Sequence, residues 1–162
     1  MTELKQMPGH LIRRYQQIAV AVFHRQVDPL GLDLTPVQFA ALNTLRVHKD
    51  IDQATLAGLI AYDRTTITGV IDRLTAKGLV DRKISPTDRR ARVVSLTAEG
   101  EAALDRVMPA VEEAQTVMLQ GLDAREQQVF MELLTKATEA TNDLSRAPLI
   151  PLATPEPTEG AE

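Results

Sequence analysis

Apolar residues recur along this chain at spacings of three and four, the repeat of an α-helix with one buried face. The first such pattern covers residues 8–28, and Pro8 can occupy a first helical position. Its apolar face comprises Leu11, Ile12, Tyr15, Ile18, Ala19, Val22 and Phe23. Thr35 and Gln38 then have the spacing of an N-terminal capping box, which predicts a second helix extending to about Lys49.

Two short helices joined by a tight turn are predicted next, within residues 52–77. Asp52 is placed to cap the first of them, whose apolar pattern stops near Ala61. Asp63 is placed to cap the second, and Gly78 follows it where a left-handed residue ends a helix. The apolar stripe of the second helix is Ile67, Val70, Ile71 and Leu74. The pair is typical of a helix-turn-helix.

A β-hairpin is predicted directly after these helices. Its strands are residues 79–85 and 92–96, and a polar turn with two adjacent arginines joins them. A hairpin in this position predicts a winged helix spanning residues 35–97. Thr97 also stands where it can cap the next helix.

Long helices flank this unit on both sides. Residues 1–34 contain the first helix, and residues 98–145 contain two more, the earlier of which carries Pro109 and is predicted to kink there. A winged helix does not need these three helices, so their apolar faces must be buried elsewhere. Residues 146–162 contain four of the nine prolines and end acidic, which predicts a disordered tail.

The wing carries the most specific resemblance to a known family. Asp88, Arg90, Leu96 and Thr97 follow the pattern Asp-x-Arg, five residues, Leu-Thr, which resembles the wing signature of the MarR family of bacterial transcription regulators. The resemblance covers about residues 8–145. It implies a mainly α fold with a small β-wing, in which long dimerisation helices flank a winged helix-turn-helix.

The resemblance implies that a homodimer binds double-stranded DNA at a palindromic operator. The second helix of the turn motif would enter the major groove with its outward residues, which are Arg64, Thr65, Thr66, Thr68, Gly69 and Arg73. Thr65 and Thr66 also suit ordinary first-turn helix chemistry, and Arg73 could instead pair with an acidic neighbour. At the wing, Asp88 would set the shape, Arg90 would enter the minor groove, and Arg89 and Arg92 would contact phosphates or support the wing.

Composition and charge narrow these expectations. Aromatic residues make up 3% of the chain, so the core is aliphatic, and there is no cysteine for disulfides or thiolate metal sites. No run of about eighteen apolar residues occurs, which predicts a cytoplasmic protein without a membrane partner. The formal net charge of −4 argues against nucleic-acid binding. Residues 63–92, however, carry eight Arg or Lys and four Asp, so this segment is +4 and the remainder −8.

A polar stripe on the first helix predicts an effector site. The segments GHLIRRYQQ and LDLTPVQFAAL resemble the subgroup of the family that responds to aromatic acids. An aromatic acid needs an apolar slot and a cation for its carboxylate, and Arg14 can bind a carboxylate through two hydrogen bonds. The predicted effector-binding residues are His10, Arg14, Tyr15, Gln17 and Phe39. Simple solvent exposure is the alternative explanation of the stripe.

No catalytic, cofactor or metal motif accompanies these features. The chain lacks a nucleophile elbow and a Gly-rich phosphate loop, and His10, His24 and His48 are too scattered for a zinc site. We therefore expect a ligand-responsive repressor of aromatic-acid catabolism genes and not an enzyme. The alternatives are an activator of the same family and a helical dimer that acts as a protein-interaction module. Retention on random duplex DNA that falls steeply with salt would favour the regulator.

Overall fold

Six α-helices and one small antiparallel sheet make up the part of the chain that the computed structural model describes, residues 3–85 and 92–152. The helices are α1 Pro8–Val27, α2 Pro36–Val47, α3 Gln53–Leu59, α4 Arg64–Ala76, α5 Ala98–Leu119 and α6 Ala124–Ala140. The strands are β1 Ile51–Asp52, β2 Val80–Ile84 and β3 Arg92–Leu96. None of the helices in these residues is long and apolar enough to cross a membrane. The predicted mainly α fold with a small β-wing is confirmed.

Side-chain caps start the helices where the sequence predicts them. The Thr35 hydroxyl accepts a hydrogen bond from the Gln38 amide at 3.3 Å, while the Gln38 side chain accepts one from the Thr35 amide, which completes the capping box. Asp52 accepts from two amides at the start of α3, each at 2.9 Å. Thr97 caps α5 through the amide of Gly100. Each cap satisfies backbone donors that a helix leaves unpaired at its N-terminus.

The hydrophobic core lies under the helix-turn-helix and joins it to α1, α2 and α5. Its largest fully buried side chains are Leu34, Leu42, Leu45, Leu56, Ile67, Ile71, Leu74 and Leu104. Three of these come from α4, at the positions that the apolar stripe predicts. α4 is therefore held by one face, and its other face is exposed to solvent.

The sheet contains one strand that the sequence analysis does not predict. β2 and β3 pair antiparallel, with Val80 opposite Leu96 at the base of the hairpin and Ile84 opposite Arg92 at the other end. β1 pairs with the outer side of β3, Ile51 opposite Val94, so the strand order is β1-β3-β2. A two-residue strand shows no alternation of polar and apolar positions, so its sequence carries no signal.

The C-terminal helix is amphipathic but packs little against its own chain. No residue of α6 is buried, and Val129, Met131, Leu133 and Leu134 are exposed. The helix ends at Ala140, earlier than the predicted residue 144, and a 3₁₀ turn Asn142–Leu144 follows it. On α1, Leu11, Ile12 and Ile18 are exposed as well.

Residues 146–152, the first part of the predicted disordered tail, make specific contacts with the rest of the chain. The Ile150 amide donates a hydrogen bond to the Gly58 carbonyl of α3 at 2.9 Å, and Leu149 bonds to the Asn142 side chain through both its amide and its carbonyl. The proline content predicts that this segment forms no core, but these hydrogen bonds position it against α3 without any regular secondary structure. The remaining residues of the predicted tail, 153–162, lie outside the described residues.

Candidate functional site

The exposed face of α4 carries the residues predicted to contact DNA. Arg64, Thr65, Thr66, Thr68 and Arg73 are exposed, and Gly69 is half-buried. The opposite face of the helix is buried in the core through Ile67, Val70, Ile71 and Leu74. The structure therefore brings the six predicted residues of this helix onto one accessible surface.

Two of the three threonines on this face are already engaged in local hydrogen bonds. The Thr66 hydroxyl donates to the Asp63 carboxylate at 2.6 Å, while the Thr66 amide donates to the other carboxylate oxygen. The Thr68 hydroxyl donates to the Arg64 carbonyl at 2.9 Å. In the free protein Thr66 is therefore part of the N-cap, whereas the Thr65 side chain is exposed at the tip of the helix.

The cap carboxylates of α3 and α4 are held in their charged form. The Thr66 hydroxyl and amide lower the pKa of the exposed Asp63 below its ordinary value. Burial raises the pKa of Asp52, but hydrogen bonds from Thr55 and Ala54 outweigh that effect and lower it overall. Both carboxylates are therefore ionised at neutral pH, when they stabilise the positive end of each helix dipole.

Gln53 extends the candidate surface onto α3, and the sequence analysis did not include it. Its side-chain amide lies 3.5 Å from the Thr68 hydroxyl, so the start of α3 touches the exposed face of α4. An amide at this edge can donate to a phosphate or a base. The signal available in the sequence was its position directly after the Asp52 cap.

An ion pair sets the wing relative to α4. Arg82 on β2 donates to the Asp72 carboxylate of α4 at 2.5 Å. Lys83 on the same strand pairs with Asp81 at 3.2 Å. The ion pair therefore fixes the position of β2 relative to α4, the helix that carries the predicted DNA contacts.

Arg73 is exposed beside a shallow cleft between α4 and the start of α2. The cleft has a volume of about 420 Å³ and is lined by Asp33, Thr35, Gln38, Arg73, Ala76 and Lys77. Lys77 pairs with the Asp33 carboxylate at 2.9 Å, and this pairing lowers the pKa of Asp33. Arg73 makes no ion pair with any residue that the structure describes. Its guanidinium is available to a phosphate.

The structure describes only part of the wing. Arg92 starts β3 opposite Ile84, at the end of the hairpin away from its base, and its side chain is exposed. Asp88, Arg89 and Arg90 lie outside the described residues. Their roles at the wing tip stay predictions from the resemblance.

Gly69 provides a test of close approach by DNA. A Cβ atom at this position would have no heavy atom within 4 Å in the free protein. Gly69→Ala should therefore raise the free energy of unfolding, because alanine is favoured over glycine in a helix by about 1 kcal/mol. If α4 sits deep in the major groove, the added methyl group should meet the DNA and raise Kd about threefold, which corresponds to about 0.7 kcal/mol.

Two measurements on the same Gly69→Ala sample, urea unfolding and binding of a labelled duplex by fluorescence anisotropy, check this expectation. Gly9→Ala is the matched control, since its added Cβ also meets open space but lies on α1. DNA binding by Gly69→Ala as tight as that of the parent would show that the duplex does not approach α4 at this residue.

A groove between α1 and α6 contains two of the predicted effector residues. It has a volume of about 410 Å³ and is lined by Leu11, Ile12, Arg14, Tyr15, Gln16, Ile18, Phe130 and Leu134. The Tyr15 hydroxyl donates to the Met118 carbonyl at 3.0 Å, and the Tyr15 and Phe130 rings meet edge to face at 5.5 Å. Tyr15 is thus fixed by α5 and α6, while Arg14 is exposed at the groove and forms no ion pair within the described residues.

The other three predicted effector residues do not line this groove. His10 is half-buried one helical turn before Arg14. The Gln17 side chain accepts a hydrogen bond from Arg13 at 2.9 Å. Phe39 packs near Phe23, with ring centroids 6.2 Å apart. The single chain therefore places Arg14 and Tyr15 together and does not bring Phe39 to them.

Comparison with known proteins identifies the chain. The profile described as MarR family matches residues 34–91, from the start of α2 into the wing. The HTH-type transcriptional repressor NicR of Pseudomonas putida is 35% identical over 85% of this chain and 86% of NicR. The chain belongs to the MarR family.

Solved structures of similar proteins support the same assignment. The PcaV transcriptional regulator from Streptomyces coelicolor, in complex with its natural ligand, is 33% identical with a TM-score of 0.80, covering 87% of this chain and 98% of PcaV. BpsR of Bordetella bronchiseptica, solved to explain how 6-hydroxynicotinic acid regulates its DNA binding, is 31% identical with a TM-score of 0.81, covering 86% and 98% of the two chains.

Membership of the MarR family confirms the predicted coarse function. The protein is a DNA-binding transcriptional repressor and not an enzyme. The predicted DNA contacts of α4 lie on a face that is exposed to solvent without any displacement of the core.

Proposed function

We propose that this MarR-family protein acts in the cytoplasm as a homodimer that binds a palindromic operator and is released by a small aromatic carboxylate. The genes it represses would be those for catabolism of such acids. The observation that supports an aromatic-acid effector is the exposed Arg14 guanidinium at the rim of a groove lined mainly by apolar side chains.

The unpartnered apolar faces support the dimer. α6 buries no residue in its own chain, and its Val129, Met131 and Leu133 are exposed and do not line the groove at Arg14. Amphipathic helices of this kind are stable in water when another apolar surface covers them. A second copy of the chain presents an identical surface, and a two-fold axis makes the contact self-complementary.

A two-fold dimer explains how one exposed helix per chain recognises an operator. Two copies of α4 separated by about 34 Å, one turn of the duplex, would enter successive major grooves on one face of the DNA. Each α4 would contribute Arg64, Thr65, Gly69 and Arg73 to its half-site. Arg90 of each wing would reach the adjacent minor groove, where its guanidinium suits the negative potential.

The groove at Arg14 has the chemistry that an aromatic acid requires. Leu11, Ile18 and Phe130 supply apolar contacts for a ring, and Arg14 supplies a cation with two parallel donors for the carboxylate. His10 and Gln17 would complete the polar end, and Phe39 would approach the ligand only with a shift of α2 against α1. The acid that regulates BpsR, 6-hydroxynicotinic acid, belongs to this chemical class.

Release from DNA follows from where the groove lies. Its walls are α1 and α6, the helices that would form the dimer, whereas α4 is carried by the core that α1 and α5 support. A ligand that binds better to one spacing of the two α4 helices lowers the affinity for DNA by its differential binding. The same linkage requires that DNA lowers the affinity for the acid.

A release titration tests the proposal. The probe is a duplex that the full chain itself selects from a randomised library, and fluorescence anisotropy follows its release by benzoate, nicotinate and cinnamate. We expect at least one acid to release the duplex at millimolar concentrations. Benzamide, nicotinamide and cinnamamide keep the rings without the carboxylate and should not act. The effector class is wrong if no acid releases the duplex or if the amides act equally well.

A further inference from the structure

Residues 145–152, here called the C-terminal strap, run from the end of α6 to the side of α3. The strap begins after the 3₁₀ turn Asn142–Leu144 and reaches α3 at Gly58. Further along, Leu152 lines the same shallow cavity as Ala54 and Thr55, so the strap follows α3 back towards its N-terminus. It therefore joins a helix of the dimer-forming part to a helix of the DNA-binding part.

Asn142 fixes the strap at the α6 end. Its side-chain amide nitrogen donates to the Leu149 carbonyl at 3.0 Å, and its side-chain oxygen accepts from the Leu149 amide at 2.8 Å. One side chain thus satisfies both backbone groups of a residue seven positions later. This pairing closes the intervening residues into a compact loop and leaves Ile150 directed at α3.

Gly58 receives the strap at the α3 end. The Ile150 amide donates to the Gly58 carbonyl at 2.9 Å, near the C-terminus of α3, and the Ala61 amide donates to the same carbonyl at 3.3 Å. A Cβ atom on Gly58 would lie only 3.0 Å from the Ile150 Cβ, and its three nearest heavy atoms would all belong to Ile150. The absence of a side chain at this buried position therefore lets the strap pack closely on α3.

The strap bridges a gap between the two parts of the chain. A cavity of about 700 Å³ lies between the C-terminal half of α6, represented by Thr135 and Thr138, and Ala61 of the turn. Leu149 and Pro151 of the strap form one of its walls. α6 thus does not pack directly on the helix-turn-helix at this place, and the strap is the connection across it.

Motion of α3 is transmitted to the DNA-binding face. Leu56 of α3 and Ile67 of α4 share the fully buried core, and Gln53 at the start of α3 touches Thr68 of α4. Closely packed helices move together, because a core at crystal-like density leaves little room for sliding. A restraint on Gly58 is therefore also a restraint on α4.

We propose that the C-terminal strap positions the helix-turn-helix relative to the dimer-forming helices and so raises the affinity for DNA that carries two half-sites. This inference rests on the proposed dimer. Without the strap each α4 would sample a wider range of positions, and binding both half-sites at once would lose more conformational freedom. Binding to a duplex without paired half-sites does not need the two helices at a fixed spacing, so the strap should not affect it.

Full-chain variants that release the strap at either end test this role. Asn142→Ala removes both hydrogen bonds to Leu149, and Gly58→Ala crowds Ile150 by placing a Cβ 3.0 Å from its own, while favouring the helical conformation of α3. Each should weaken binding of the library-selected duplex by about three- to tenfold, the cost of ordering one or two further side chains. The double variant should lose no more than either single variant, because both release the same strap.

Further measurements distinguish a loss of positioning of α4 from a loss of folding or dimerisation. Thermal stability and dimer mass should match those of the parent, and binding of a random duplex of equal length should not change. Leu144→Ala is the control, since Leu144 is 84% exposed and lies in the same 3₁₀ turn as Asn142. The proposal is overturned if Asn142→Ala and Gly58→Ala bind the selected duplex as tightly as the parent, or if selected and random duplexes weaken equally. If the parent is a monomer or selects no two-half-site duplex, the proposed dimeric reading of DNA fails instead.

Discussion

Arg14→Ala should bind the selected duplex as tightly as the parent and lose most of its response to aromatic acids. Arg14 is exposed on α1, away from α4 and the wing, and it makes no ion pair within the described residues. Its removal therefore leaves the fold and the DNA surface unchanged. A hydrogen bond to a charged group contributes about 1.5–3 kcal/mol, so half-release should require about ten- to hundredfold more acid.

Two further variants make this result specific. Arg14→Lys keeps the charge but replaces the planar two-donor group, so it should fall between the parent and Arg14→Ala. Arg25→Ala removes another exposed arginine of α1 that does not line the groove, and it should respond like the parent. The measurement is the release titration with benzoate, nicotinate and cinnamate. A full response by Arg14→Ala would place the effector site away from the groove between α1 and α6.

Local signals in the sequence were sufficient for the winged helix itself. Asp63 caps α4, and Gly78 adopts the left-handed conformation after it with φ of 71°, as the residue types and spacing predict. Caps and apolar stripes depend on interactions within one or two helical turns. They can therefore be inferred without knowledge of the tertiary structure.

Features that depend on distant residues could not be predicted. β1 forms because the tertiary structure places Ile51 and Asp52 beside β3. The start of the tail is held by hydrogen bonds to Gly58 and Asn142, which are distant from Ile150 in the sequence or outside any local pattern. The prolines alone predict a disordered tail, because composition describes the average character of a segment and does not reveal hydrogen bonds to particular residues elsewhere in the chain. Leu149, Ile150 and Leu152 are the residues of the tail whose apolar side chains favour packing against the rest of the chain.

The candidate site was partly accessible from the sequence for the same reason. The outward residues of α4 follow from helical periodicity once its inward stripe is known. The engagement of Thr66 in the Asp63 cap, the contact of Gln53 with Thr68 and the separation of Phe39 from Tyr15 depend on side-chain geometry between elements. These details required the structure.

Gly100→Ala should strongly destabilise the protein and disturb the wing. Gly100 is buried in the first turn of α5, where its amide donates to the Thr97 hydroxyl at 3.0 Å. A Cβ atom there would overlap the Leu79 carbonyl oxygen and lie 2.7 Å from the Leu96 Cδ2 atom. Leu79 and Leu96 are at the base of the hairpin, so α5 and the wing would have to separate.

The expected cost is large because a backbone carbonyl cannot rotate away as a flexible side chain can. Overpacking of a core costs about 1–3 kcal/mol and more where the backbone must move. We therefore expect the free energy of unfolding, measured in urea, to fall by about 3 kcal/mol. In a separate thermal melt, Tm should fall by about 10 °C. Gly9→Ala, which meets open space on α1, should be neutral or slightly stabilising.

DNA binding provides the second readout for Gly100→Ala. At a temperature where the variant is still folded, a displaced wing base should weaken binding of the selected duplex and reduce its salt dependence, because the proposed contact of Arg90 with the minor groove would be lost. A variant that is destabilised but keeps the full salt dependence would show that the hairpin moves as a unit with α4, held by the Arg82 to Asp72 ion pair. Unchanged stability would contradict the close packing of α5 on the base of the wing.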